Sequence, residues 1–196
     1  MSFSIELELQ KFPKHIQLKD GSKAVLRLLK TEDEKEFHQL FLDIPEPERM
    51  FIKHRVQDLK VIRDWCRNID VGRNLPLLGV MDRKIVGVAT LHQRLGGWKR
   101  HIGRVSVLVH PAFRGRGLAR ALVSETLDIA RRAGLERAEA AFIAEQEAAM
   151  KMFAMLGFNQ LVRLEDYVKD MQAITHDYVL MGLDLRTDEE YAGVGG

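Results

Sequence analysis

The sequence predicts a mixed α+β domain whose sheet is mostly antiparallel and carries one parallel pair of strands. Three observations lead there. The compact apolar runs Leu75 to Met81 and Ile85 to Leu91 are joined by the short turn Asp82-Arg83-Lys84, as antiparallel neighbours are. A further apolar run, Val105 to Val109, has the branched composition of a strand buried on both faces, and Pro111 stops it. A helix-length segment from Leu118 to about Arg132 then leads to another buried run, Ala138 to Ile143, and a full helix between two strands allows them to lie parallel.

Taken in order, Phe3, Ile5, Leu7 and Leu9 alternate with polar residues and predict a first strand. His15 to Leu18 and Ala24 to Leu29, joined by the turn signal Asp20-Gly21, predict an antiparallel hairpin. Thr31 followed by Glu34 has the spacing of a capping box, and Phe37, Leu40 and Phe41 continue it at helical intervals until Ile44-Pro45-Glu46-Pro47. Glu48 to His54 is a candidate short helix, and Asp58 opens another that carries Leu59, Ile62, Trp65, Cys66 and Ile69. Gly96-Gly97 opens the loop into the Val105 strand. The long helix buries Leu118, Leu122, Val123, Leu127, Ile129 and Ala130 and ends at Gly134. A helix from Glu145 to Leu156, closed by Gly157, precedes a final strand pair, Phe158 to Leu164 and Tyr178 to Leu185.

A chain of 196 residues suits a single domain with one substantial core. Its formal charge of +2 is too small for a nucleic-acid binder, although basic residues gather between Lys99 and Arg120. Cys66 is the only cysteine, which excludes an internal disulfide and a zinc site built from cysteines; its apolar helical neighbours favour a packing role over a reactive thiol. No metal site is expected. The N-terminal residues do not read as a secretory leader, and no apolar run approaches the ~20 residues of a spanning helix, so a cytoplasmic protein with no membrane partner is expected.

The stretch with most chemistry is Arg114-Gly115-Arg116-Gly117-Leu118-Ala119-Arg120. Gly115 and Gly117 leave backbone amides unobstructed, the following helix points its N-terminal amides and dipole at the same spot, and three arginines add positive charge. Such a loop suits a diphosphate. It is not a Walker loop, since Leu118 and Ala119 follow Gly117 where lysine and serine or threonine are needed; nor is it a dinucleotide fingerprint, because Arg120 replaces the third glycine.

Arg114-x-x-Gly117-x-Ala119, preceded by a hydrophobic strand and proline, resembles the acetyl-CoA loop of the GNAT superfamily of N-acetyltransferases, Arg/Gln-x-x-Gly-x-Gly/Ala. Ala149-x-x-x-Phe153-x-x-x-Gly157-Phe158 resembles the family's second motif at the right separation. The opening, with its Asp20-Gly21 hairpin, Leu29-Lys30-Thr31-Glu32-Asp33 and Ile44-Pro45-Glu46-Pro47-Glu48-Arg49, looks like the acyltransferase domain of bacterial protein-lysine acetyltransferases. The resemblance implies a GNAT fold: a twisted, mostly antiparallel sheet of about seven strands, with a parallel pair splayed into an acetyl-CoA cleft and about four flanking helices. It implies one domain over residues 1–186 and a polar, glycine-rich tail over 187–196.

On the same resemblance, Val107, Leu108 and Val109 would hold the pantetheine arm, residues 114–120 the diphosphate, and Gln146 and Phe153 would line the cofactor. The implied reaction is direct attack by a primary amine, of a protein lysine or a small metabolite, on the thioester of acetyl-CoA. A homodimer is common in the family. Phe153 stands where many members carry a tyrosine that protonates the leaving thiolate, so a general acid there is excluded, and no carboxylate lies between Arg104 and Pro111 to act as the strand-borne base of histone-type members. The remaining acid or base candidates are His92, His110, His176 and Tyr167, with Tyr167 singled out as catalytic because its strand edge borders the cofactor thiol in this architecture. Glu32, Asp33, Glu34 and Glu36 could draw a cationic acceptor, but the acidic first turn of a helix explains them as well. The competing function is a catalytically silent acyl-CoA sensor, suggested by the missing hydroxyl and carboxylate.

Overall fold

The computed structural model describes residues 2–52 and 55–186. Its strands are β1 (Lys14–Gln17), β2 (Lys23–Leu28), β3 (Asn74–Met81), β4 (Lys84–His92), β5 (Ile102–Val109), β6 (Arg137–Ile143), β7 (Asn159–Lys169) and β8 (Thr175–Asp184). The helices are α1 (Ser2–Leu9), α2 (Glu34–Leu42), α3 (Glu46–Arg49), α4 (Leu59–Arg67), α5 (Leu118–Arg132) and α6 (Glu147–Met155). The strands form one sheet in the order β1-β2-β3-β4-β5-β6-β8-β7, antiparallel throughout except between β5 and β6. The connection through α5 makes that pair parallel, as the helix-length link predicts.

Strand periodicity divides the core into two layers. Leu77, Ala89, Val105 and Val109 turn to the face covered by α5, where Leu118, Leu122, Val123, Leu127, Ile129 and Ala130 are buried, with Phe153 of α6 beyond them. Leu78 and Val88, with Leu108 packed against them, turn to the opposite face, under Phe37, Leu40 and Phe41 of α2 and Ile62 and Cys66 of α4. Two glycines let α5 come close: a Cβ on Gly79 would lie 2.9 Å from Leu118 Cδ1, and one on Gly87 would lie 3.2 Å from both Leu122 Cδ1 and the Leu108 carbonyl oxygen.

Several expectations are corrected. Ser2–Leu9 is a helix, not a strand. Glu6, Leu7, Glu8, Leu9 and Gln10 are strong helix formers, and the amide of Gln10 donates to the Glu6 carbonyl at 3.1 Å, so helix propensity overrides the period-two pattern. Thr31 is not the cap of α2. Asp33 occupies the cap position of α2, and its carboxylate closes back on the turn before it, accepting from the Lys30 amide at 2.8 Å and from the two terminal guanidinium nitrogens of Arg27 at 2.6 and 2.7 Å. The Thr31 hydroxyl instead donates to the Cys66 carbonyl at 3.4 Å. The short helix after Ile44 begins earlier than expected, at Glu46, and the end expected at Lys53-His54 lies outside the described residues, as does the 187–196 tail. The last two strands are longer than expected because they form a hairpin whose pairing runs out to Lys169 opposite Thr175. No helix of the described residues is long and apolar enough to cross a membrane.

Candidate active site

The parallel pair is short. Ile102, Gly103 and Arg104 pair with Arg137, Ala138 and Glu139, and there the ladder between β5 and β6 stops. From Val105 onward β5 pairs with β4 alone, and from Ala140 onward β6 pairs with β8 alone. The strands thus diverge into an opening. The His110 amide donates to the Val86 carbonyl on β4 at 2.9 Å, so by strand alternation the main-chain groups of Val107 and Val109 face the opening, whereas those of Leu108 face β4.

The glycine loop lies at the wide end of that opening. His110 Nδ1 accepts from the Ala112 amide at 3.1 Å and fixes the turn Pro111–Phe113. Gly115 (φ 77°) and Gly117 (φ 90°) are left-handed, which only glycine adopts without strain. The Lys19 amide donates to the Arg116 carbonyl at 3.0 Å, tying the loop to the β1–β2 hairpin. Among the described residues, none of the amides of residues 115–120 donates a hydrogen bond to protein, so Gly115, Arg116, Gly117, Leu118, Ala119 and Arg120 present a cradle at the start of a long helix. Leu118 and Ala119 anchor it by packing their side chains beneath.

The three arginines differ. Arg114 donates from Nε to the Val109 carbonyl at 3.0 Å and makes a two-pronged ion pair with Glu48 at 3.0 and 2.6 Å. Arg116 reaches the Ala112 carbonyl at 3.2 Å and Asp20 at 3.6 Å, and stacks over Phe113. Arg120 is exposed and has no ion pair or hydrogen bond among the described residues. The loop therefore offers an anion its amides and the Arg120 charge, while Arg114 and Arg116 hold the loop in shape.

On the α2/α4 side of the sheet, His92 Nδ1 lies 2.7 Å from Asn74 Oδ1 and Nε2 lies 3.1 Å from Ser106 Oγ, a chain across β3, β4 and β5. Farther along, His176 of β8 is held between Glu145 (2.9 Å) and Asp170 (3.4 Å), with Phe51 packed edge-on against its ring. The Glu145 hydrogen bond raises the His176 pKa above its ordinary value despite partial burial, and His176 lowers that of Glu145. Burial works to raise Asp170, but the amides of Ile174 and Gln172, and then His176, prevail and lower it. Residues Glu145, His176, Asp177, Arg163 and Asp166 line a cavity of about 410 Å³. There Asp177 is lowered chiefly by its bond to Arg163. His110 Nε2 stands 3.3 Å from Asp43.

Tyr167 is 67% exposed on the outermost strand, its ring 5.9 Å from that of Tyr178. Gln146 accepts from the Ile143 amide at 3.1 Å and so caps the end of β6. Phe153 is fully buried between the rings of Phe142 and Phe158, at 5.0 and 4.9 Å. Burial pushes the Cys66 thiol up to about 11, consistent with a packing role. Among the described residues no group of three or more His, Cys, Asp or Glu is placed to hold a metal. His92 stands out in the sequence as a titratable candidate, whereas Asn74 and Ser106 do not, because their meeting with it depends on the register of three strands.

A family model for the acetyltransferase (GNAT) family matches residues 31–158. Among curated proteins, the chain is 36% identical over 77 residues to an L-methionine sulfoximine/L-methionine sulfone acetyltransferase of Salmonella typhimurium, covering 37% of this chain and 45% of that one. It is 29% identical over 113 residues to the L-amino acid N-acyltransferase MnaT of Escherichia coli, covering 55% of this chain and 66% of that one. The chain thus spans about half to two thirds of these relatives. Among solved structures, the GNAT domain of Streptomyces lividans PAT superposes with a TM-score of 0.73 at 18% identity, covering 87% of this chain and 96% of that one. The yncA protein of Salmonella typhimurium with its cofactor acetyl-CoA superposes with a TM-score of 0.72 at 22% identity, covering 85% and 96%. At these identities the two structures bear on the fold.

Proposed function

Because the chain belongs to the acetyltransferase (GNAT) family, we propose that it transfers an acetyl group from acetyl-CoA to the primary amine of a small metabolite or a protein lysine, by direct attack in a ternary complex. The observation that carries this reading is the continuity of two features: an opening between β5 and β6, and a cradle of unbonded amides at its wide end. Val107 and Val109 would hydrogen-bond the pantetheine arm from their main chain, with Leu108 supporting them from the core. The amides of residues 115–120 and the Arg120 guanidinium would hold the diphosphate. Gln146 and Phe153 would support the cleft from the end of β6 and the core.

Binding of this kind leaves little chemistry for side chains. Holding amine and thioester together supplies a large part of the acceleration, and a main-chain amide in the opening polarises the thioester oxygen. Tyr167 is our candidate acid for the departing thiolate; Tyr167→Phe should then lower turnover while leaving cofactor binding intact. Among acceptors, the names of the two curated relatives make free L-amino acids and L-methionine sulfone the first probes, with a lysine-bearing peptide as the alternative.

The test is calorimetric titration with acetyl-CoA, CoA and ATP, on the native chain and on Gly117→Glu, followed by an amine panel read as CoA release. Saturable acetyl-CoA binding that the variant abolishes, with no response to ATP, supports the reading. Absence of acetyl-CoA binding withdraws it, and binding without turnover on any amine would favour a sensor instead.

A further inference from the structure

A primary amine reaches an active site as an ammonium ion and must lose a proton before it can attack. No carboxylate on β5 is available to take it. We propose that Ser106 and His92 form the relay that removes this proton, with Asn74 as the positioning residue; the proposal rests on the acyl-transfer reading above.

The two contacts of the His92 ring suit one direction of transfer. Asn74 Oδ1 can only accept, so the proton on the His92 ring sits at Nδ1 and donates across 2.7 Å. Nε2 is then a lone pair, and the Ser106 hydroxyl 3.1 Å away donates to it. Ser106 is exposed, and it sits two residues beyond Arg104, the last β5 residue paired to β6. It therefore borders the narrow end of the opening, where β5 and β6 begin to part. The loop amides precede α5, which covers one face of the sheet, whereas Ser106 shares the strand parity of Leu108 and faces the α2/α4 side. An arm entering from the loop and passing through the opening delivers its thioester to that side, where an amine would meet Ser106. In register beside His92 stand Arg104 and then Glu139, the latter 3.9 Å from Lys99.

In the step itself the ammonium N–H bond breaks and its proton passes to Ser106 Oγ as the serine proton passes to His92 Nε2. Serine ends unchanged and histidine ends as imidazolium. The freed amine lone pair forms the N–C bond and the C–S bond breaks with its pair leaving on sulfur; the Tyr167 hydroxyl gives its proton to the thiolate, and the second amine proton passes to the Tyr167 oxygen, which ends unchanged. Imidazolium returns its proton to solvent.

The test uses the full chain, with acetyl-CoA and L-methionine sulfone or a lysine peptide as probes, over a range from about pH 6.5 to about pH 9.5. Ser106→Ala and His92→Gln are each expected to lower kcat/KM by roughly a hundredfold near neutrality, within the range of positioned acid–base groups. Acetyl-CoA affinity should not change, the deficit should shrink as pH rises and the amine deprotonates in solution, and the double variant should be no worse than either single one. Ser106→Thr, which keeps the hydroxyl, should retain activity, and Asn74→Asp should exceed Asn74→Ala. Losses that are equal at every pH, additive or absent overturn the relay. Nitrogen NMR of the His92 ring decides independently of turnover: the Nδ1–H form is expected, and the Nε2–H form overturns the proposal. Failure of acetyl-CoA to bind the wild-type chain instead sinks the acyl-transfer reading.

Discussion

Arg114 and Arg120 carry the same charge on the same loop, yet their surroundings assign them opposite work. Arg114 is engaged by Glu48 and the Val109 carbonyl, so Arg114→Ala should act mainly on the shape of the loop; the exposed Glu48 pair by itself contributes only about 0–1 kcal/mol. Arg120 has its charge available, and Arg120→Ala is expected to weaken acetyl-CoA binding about tenfold with an unchanged melting temperature, the cost of one charge-assisted contact. Calorimetry and thermal denaturation on both variants separate the two roles. His176 offers a second residue-level prediction. Its folded pKa is raised, so the stability it contributes is fully present below its unfolded value and is lost as pH rises through the folded one. Glu145, whose pKa is lowered, sets the acid side: its contribution fades as pH falls through its folded value. In Glu145→Gln the His176 titration followed by NMR should move down, and the stability difference from wild type should be largest between those two limits.

At the level of elements, α5 is positioned by what the sheet leaves out. Gly79 and Gly87 make room for Leu118 and Leu122, which set the height of the helix and hence the direction in which its first amides point. Gly87→Val would drive a side chain into the Leu108 carbonyl and both leucines, and should cost about 1–3 kcal/mol as overpacking does. Because the cradle begins at that helix end, acetyl-CoA affinity should fall with it. Denaturant unfolding and titration on the same variant check the coupling; a stability loss with unchanged affinity would show that α5 does not aim the loop. The β7–β8 hairpin is built around another local device, Asp170, whose carboxylate accepts from the amides of Gln172 and Ile174 and so closes the turn beside His176.

For the molecule as a whole, binding in the β5–β6 opening would tie together halves of the sheet that share only a short parallel ladder. Acetyl-CoA at about a hundredfold over its dissociation constant should add about 2.7 kcal/mol, which for a chain of this size raises the melting temperature by roughly 5–10 °C. CoA should reproduce most of that shift, and ATP should not.

The local chemistry of the chain was enough to determine much of this. The α5 boundaries follow from Gly117 and Gly134, the β3–β4 turn from Asp82-Arg83, the parallel β5–β6 pair from the helix between them, and the cradle from glycines before a helix. Each depends on residues adjacent in the chain, where propensity and turn chemistry act directly. That same locality misled at Ser2–Leu9, where a period-two pattern competes with helix formers, and at Thr31, whose place as cap is taken by an Asp33 that Arg27 holds from β2. Only the tertiary structure could decide which of three loop arginines keeps its charge available, since Glu48 and Asp20 approach from distant segments. Likewise Asn74, His92 and Ser106 are unremarkable singly. Strand register brings them to hydrogen-bonding distance, and register is settled by the burial of whole strands against two helical layers, a property of the packed sheet that no one stretch of chain possesses.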